Sequence, residues 1–343
     1  MARAEKAGTP NPWICNAQGG SRICWIYLLA PLLVLFLHLF GEPPRAQEPA
    51  RFRLGYSALS LSFLPHLIAR DAGIFQKQGI EIELIQMAGP LQVAALAAGE
   101  LDFGSGLTPA LLAAARGLPV RGVLVTVKTP LFYIVAEPTI MRLEDLAGKR
   151  MAVDTIGSLQ PIVARLILAK RGVNPERISY FQTGSVSNSI AALSGRTVSA
   201  AMLSIPTNVV MAQKGFRQLA SSQEANISYP PSGLTAQVGK FQKETLRMKR
   251  VMSAVLDSIR FIHEQREWTA DYIRRTWKIE PRTAEETYRL ALPTFPLNGK
   301  MNFQELQEFL DTAFENKQIQ RKTEAQSVMD YSLLDEILKE RGL

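Results

Sequence analysis

The chain has 343 residues, 47% of them hydrophobic and 20% charged, which is length for two modest domains with a proper core and too apolar a balance for intrinsic disorder. The formal net charge is +8, but both signs mix through stretches such as 240–250 and 264–275, and no basic run carries interleaved aromatics. That excludes a nucleic-acid surface and points to solvated helix faces.

Cys15 and Cys24 are the only cysteines, and His38, His66 and His263 the only histidines. Everything after Cys24 therefore lacks a disulfide, a thiolate nucleophile and a cysteine metal ligand, and the histidine spacing suits no metal site. Without residues 1–46 the chain keeps 35 basic and 29 acidic side chains, a mild excess that would help steer an anionic solute.

In chain order, the first feature is the apolar run Ile23 to Phe40, which follows Arg22 and is broken by Gly41, Pro43 and Pro44. A basic flank, an apolar core and a breaker make an export signal. At about 18 residues the core nearly reaches the length of a membrane-spanning helix. Pro44 also sits badly for a cleavage site before Gln47, so two outcomes stay open: a cleaved signal peptide, or a membrane anchor over residues 1–46. Cys24 stands at the very start of the core, not after it, and so is not placed as a lipoprotein attachment site. The expected location is the periplasm, free or tethered to the inner membrane.

From Arg51 short apolar runs alternate with helical patterns. Strands are predicted at Arg51–Tyr56, Ile80–Met87, Leu101–Gly104 and Val120–Val127, with helices at Phe63–Gln76, Pro90–Ala98 and Thr108–Arg116 between them. The pattern then restarts. Lys149–Val153, Ile178–Gln182 and Val198–Leu203 read as strands, and Ser158–Arg171 and Ser187–Leu193 as helices. Two successive βαβ units imply two similar α/β domains with parallel sheets. Leu131–Glu137 and Ile227–Leu234, flanked by prolines, are candidate crossings between them. Beyond Phe241 the chain is mostly helical, and in the long helix Phe241–Gln265 the residues Leu246, Val251, Val255, Ile259 and Ile262 are expected to face a core.

Several short segments resemble one family. Gly55-Tyr56, Pro65, Ile68-Ala69, Gly73-Ile74-Phe75 and Gly79 to Glu83 are similar to the start of the nitrate/sulfonate/taurine and thiamine-precursor class of solute-binding proteins. Leu101 to Gly104 with Pro109, Leu143 to Arg150, Ala191 to Gly195 and Val198 to Met202 match later segments of that class, with Ser199 where an aspartate is usual. Arg260 to Ile262, Asp271 to Ile273, Asn298 to Lys300 and Met329 to Ser332 extend the likeness into the tail. The resemblance covers roughly residues 51–343.

It implies an α/β fold of two Rossmann-like lobes joined by two hinge strands, of the type II periplasmic-binding-protein kind, with a helical C-terminal tail. Lobe one would hold residues 51–132 and 235–343, and lobe two residues 138–226. The family's fungal members that build the thiamine pyrimidine carry a cysteine-rich motif; with no cysteine after Cys24, this chain gives that activity no support. The resemblance makes the chain a monomeric extracytoplasmic receptor of an ABC-type importer. Its partners would be a small-molecule solute and an ABC permease in the inner membrane, with no nucleic acid, cofactor or metal.

In open α/β sheets ligands bind beyond the carboxyl ends of the strands, where helix N-termini offer unpaired N–H groups. Hydroxyl-bearing turns follow five of the predicted strands: Ser57, Ser60 and Ser62; Ser105, Gly106 and Thr108; Thr155, Gly157 and Ser158; Ser185 with Ser187; and Ser204. Each could equally be a helix cap. Converging on one cleft, they would suit a small polar or anionic organic solute. Asp154 either neutralises a cationic ligand or caps a helix, His66 is expected to be a packed or surface residue rather than a ligand, and Tyr133 to lie in the hinge. No Ser/His/Asp order, carboxylate pair or Walker loop appears, so an enzyme is not expected. Two alternatives stay open, an enzyme of thiamine-pyrimidine or related small-molecule metabolism and an orphan sensory binding protein.

Overall fold

The computed structural model describes residues 50–343 except Asn226 and Ser228. The leader and its two possible outcomes lie outside the described residues. None of the described helices is long and apolar enough to cross a membrane.

The apolar runs form two five-stranded sheets. The first contains β1 (Ala50–Tyr56), β2 (Ile80–Gln86), β3 (Phe103–Gly106), β4 (Val120–Val127) and β10 (Ser232–Gln237), in the order β2-β1-β3-β10-β4. The second contains β5 (Phe132–Ala136), β6 (Arg150–Val153), β7 (Ser179–Gln182), β8 (Ala200–Ser204) and β9 (Arg217–Ser221), in the order β7-β6-β8-β5-β9. The interior strands β3, β5 and β8 are buried along their whole length. Helices cover both of their faces, so these strands read as unbroken small and apolar runs. The edge strand β2 instead alternates, with Glu81 and Glu83 exposed.

The sequence pattern implies parallel sheets; both are mixed. β1 pairs parallel with β2 and β3, but β10 lies antiparallel between β3 and β4. In the second sheet β6 pairs parallel with β7 and β8, and β5 lies antiparallel between β8 and β9. The reason is connectivity: β5 and β10 are the strands by which the chain enters each sheet from the other, running against the strands already there. The expected crossing Leu131–Glu137 is thus mostly strand β5, whereas Ile227–Leu234 lies mostly in the crossing and enters β10 only at Ser232; the chain passes between the sheets through 128–131 and 222–231.

The two crossings are fastened together. The buried Ser222 donates from Oγ to Pro130 O at 2.8 Å and accepts the Phe132 N–H at 3.1 Å. Thr126 Oγ1 donates to Ser232 Oγ at 3.0 Å just outside them. A Cβ on Gly233 would lie 2.1 Å from Leu124 O. Only glycine lets β10 approach β4 at its register shift.

The tail packs on the first sheet. The expected single helix over 241–265 is two, Val238–Lys243 and Thr245–Glu264, joined at Glu244. Val251, Val255, Ile259 and Ile262 are fully buried, as the 3–4 spacing requires, whereas Leu246, in the first turn, is 79% exposed. Further along, Gly122 N–H donates to Val328 O and Asp330 N–H to Gly122 O, so the tail covers the free edge of β4.

Candidate functional site

The loops that leave the carboxyl ends of β1, β3, β6 and β8 meet in a cavity of about 50 Å³ between the two sheets. By the same measure a water needs roughly 10–15 Å³, so the cavity holds a few waters or one small polar group. A second cavity, of about 350 Å³, adjoins it through Ala58 and Val186, which line both.

Six of the residues expected at the site line the inner cavity: Ser57, Ser60, Ser62, Gly106, Ser158 and Ser204. Ser185 lines the outer one. Ser105, Thr108, Thr155 and Gly157 line neither. Thr108 is buried and its hydroxyl donates to Pro230 O at 2.8 Å, so it ties a helix to the second crossing. Ser105 is fully buried in β3, with its Oγ unpartnered among the described residues. Thr155 N–H donates to Asp154 Oδ1 at 2.6 Å, which makes the residue part of the turn around that carboxyl. Gly157 is exposed with φ +86°, and a Cβ there would meet only Pro90, at 3.7 Å.

The capping reading accounts for one of these hydroxyls. Ser185 accepts the Asn188 N–H and caps helix Val186–Ser194. Ser60 and Ser158 stand at N-cap positions without a capping bond. Ser60, Ser62 and Ser204 are each under 9% exposed, and their hydroxyls receive or donate no hydrogen bond among the described residues. None of the three Oγ atoms is itself sealed from solvent; they line the cavity, where a water or a ligand can bond to them.

Two glutamines that periodicity passes over hold the walls. Gln92 is 1% exposed and uses its whole amide. Its Oε1 accepts the N–H groups of Ser105 and Gly106, both at 3.1 Å, and its Nε2 donates to Ser57 Oγ and Met87 O, both at 3.0 Å. Gln160 Oε1 accepts the Asp154 N–H at 3.0 Å on the other side of the cavity and itself lines it. Each is a polar residue in the first turns of its helix, ahead of an apolar run, and that is the signal by which the sequence marks them.

Asp154 lines the inner cavity too. Its Oδ1 accepts from Thr155 N–H and Ser158 Oγ. Burial pushes its carboxyl above the usual range, and the bonds from Ser158 and Thr155 oppose that shift. Phe63, Gly89, Pro109, Phe132, Val186 and Pro231 complete the walls and were not singled out from the sequence. His66 lies outside the cavity, fully buried, with Nε2 against Gly233 O at 3.0 Å. Tyr133, buried in β5, pairs within the second sheet rather than in a crossing.

Two α/β lobes, two crossings and a cavity at the facing strand ends define the periplasmic-binding-protein class of fold. Within it the chain belongs to the NMT1/THI5-like family, whose model matches residues 60–267. A Brucella abortus (strain 2308) protein named as a binding protein is 28% identical over 157 residues, 45% of this chain and 48% of its own length. The chain thus spans about half the length of the curated relatives it matches. The alkanesulfonate-binding protein SsuA of Xanthomonas axonopodis pv. citri, solved with MOPS bound, superposes with a TM-score of 0.70 at 20% identity over 83% of this chain and 99% of that one. The desulfurization enzyme DszB superposes with a TM-score of 0.62 at 12% identity over 85% of this chain and 99% of that one. The fold therefore houses both receptors and an enzyme.

Proposed function

We propose that the chain is the extracytoplasmic solute-binding component of an ABC-type importer, holding a small polar or anionic organic solute between its two lobes and delivering it to an inner-membrane permease. The observation that carries this reading is the set of free hydroxyls that the otherwise buried residues Ser60, Ser62 and Ser204 present to a cavity walled by both sheets. Membership of the family and the sulfonate-binding relative of the same fold agree with it. The lobes would open and close about 128–131 and 222–231, which Ser222 couples.

Binding without turnover is part of the proposal. The described residues of the inner wall include no cysteine, histidine, lysine or arginine, and Ser158 donates straight to Asp154 without an intervening imidazole. Export and a monomeric state belong to the same reading. The test is equilibrium binding of a solute panel (sulfonates, carboxylates, pyrimidines and amines) to the purified chain, with mass spectrometry of the recovered solute. Stoichiometric binding and unchanged recovery are expected. A chemically altered solute would move the enzyme reading ahead, and a panel without a binder would end the transport reading.

A further inference from the structure

We infer that the solute presents a nitrogen bearing N–H, an ammonium or an amino group, to Asp154, so that the receptor selects amino-substituted solutes over their deaminated counterparts. This rests on the solute-binding reading and narrows it.

The argument begins with charge. Asp154 is the one titratable side chain among the described residues of both cavities. No lysine, arginine or histidine shares the walls, so a bound anion would find no cationic side chain there and would meet a carboxylate. Helix N-termini alone offer it partial positive charge, and Asp154 already occupies one of them. It sits four residues before Ser158, the N-cap of helix Leu159–Lys170, and takes the Thr155 N–H on Oδ1.

The hydrogen-bond inventory agrees. Thr155 N–H and Ser158 Oγ both donate to Oδ1. Oδ2 receives no hydrogen bond from the described residues. A carboxylate has acceptor capacity on both oxygens, and a half-used one at the edge of a cavity is satisfied by a donor. Across the cavity the other polar groups are the hydroxyls of Ser57, Ser60, Ser62 and Ser204, which can donate to the remaining polar part of the same solute. The walls thus ask for a bifunctional solute, with its donor nitrogen toward the second lobe and its acceptors toward the serines.

One rival arrangement uses the same residue. A protonated Asp154 would donate to an anion, and the raised carboxyl pKa moves in that direction. The two arrangements differ in what an amide does at this position. Asparagine imitates the protonated acid but not the carboxylate.

The experiment measures dissociation constants by calorimetry on the full chain for four matched pairs: 3-aminopropanesulfonate and propanesulfonate, 4-aminobutanoate and butanoate, benzylamine and benzyl alcohol, and 4-aminopyrimidine and pyrimidine. The expected result is that in at least one pair the amino member binds about tenfold tighter or more, the usual size of a charge-assisted hydrogen bond. Asp154→Asn should erase that advantage and Asp154→Glu keep most of it. Binding of that amino member should strengthen as the pH rises through the raised pKa of the carboxyl, because the carboxylate is the binding form. If deaminated members bind as well as amino members, or if Asp154→Asn preserves the advantage or improves anion binding, the donor assignment falls while solute binding stands. If no pair binds at all, both fall. Melting curves on each variant establish that it is folded, with Asp154→Glu as the variant that keeps the charge.

Discussion

Thr108 Oγ1 donates to the Pro230 carbonyl at 2.8 Å, so the first turn of helix Leu107–Ala115 is fastened to the segment that returns the chain from the second sheet to the first. Both partners are buried. The hydroxyl is spent on the architecture of the crossing and not on the cavity.

Thr108→Val should therefore lower stability, by about 1–3 kcal/mol, because it leaves a buried carbonyl without its donor. Affinity for a bound solute should change far less. Denaturant midpoints and titrations on the same variant separate the two effects. A large loss of affinity at unchanged stability would return Thr108 to the ligand site.

Gln92 predicts the opposite coupling. Gln92→Leu keeps the approximate volume but strips partners from the N–H groups of Ser105 and Gly106 and from Ser57 Oγ. Each of the two orphaned N–H groups, both on buried residues, costs about 1–3 kcal/mol. Ser57 and Gly106 line the inner cavity, so affinity and melting temperature should fall together. Loss of stability alone, with an unchanged dissociation constant, would show that the wall Gln92 supports takes no part in binding.

His66 gives the fold a pH dependence of its own. Burial pushes its pKa from 6.5 down to about 4, outweighing the hydrogen bonds from its ring. Between those values the unfolded chain binds a proton that the folded chain refuses, so stability rises with pH through this window. The stabilisation is complete above about pH 6.5 and is lost as the pH falls toward 4. The full effect is on the order of 3 kcal/mol. His66→Gln keeps a donor for Gly233 O and should flatten that part of the curve of melting temperature against pH. An identical slope in the variant would assign the acid sensitivity elsewhere.

Periodicity and turn chemistry carry most of the fold, and the reasons for the exceptions are physical. Strands β1, β2 and β4 stand within a residue of their expected bounds because alternation or an apolar run bounded by glycine and proline is a local property. The antiparallel placement of β5 and β10 is not local. It depends on which lobe each strand comes from, and Phe132–Ala136 reads as the same extended segment whether it crosses a hinge or fills a sheet. The serines of the inner cavity were legible because Ser and Thr mark strand-to-helix turns. Thr108 and Ser105 share that mark yet turn away, because one residue further along a helix or strand points a side chain to a different neighbour. Gln92 escaped notice because its partners Ser57 and Ser105 lie on other elements, and Gln160 because its bond to the Asp154 N–H belongs to a turn that periodicity does not read.

The outer cavity supplies the last prediction. Its walls combine Leu59, Ile190, Val210 and Ile279 with Trp277, which the tail brings up beside loops of both sheets. At about 350 Å³ it is several times larger than the inner cavity it adjoins, and no titratable side chain lines it among the described residues. A solute whose polar head fills the inner cavity would extend its apolar part here, against the indole. Burying one face of such a ring at about 25 cal/mol per Å² amounts to roughly 1–2 kcal/mol. Trp277→Ala should therefore weaken solutes that carry an alkyl or aryl extension by about 5- to 30-fold. Solutes that consist of the head alone should bind as before. Dissociation constants for a homologous series of increasing chain length, measured on both forms, give the comparison. In the wild type affinity should climb with each added methylene, and in the variant the climb should be shallower. Parallel lines for the two forms would mean that the extension leaves the site by another route and that Trp277 only packs the tail.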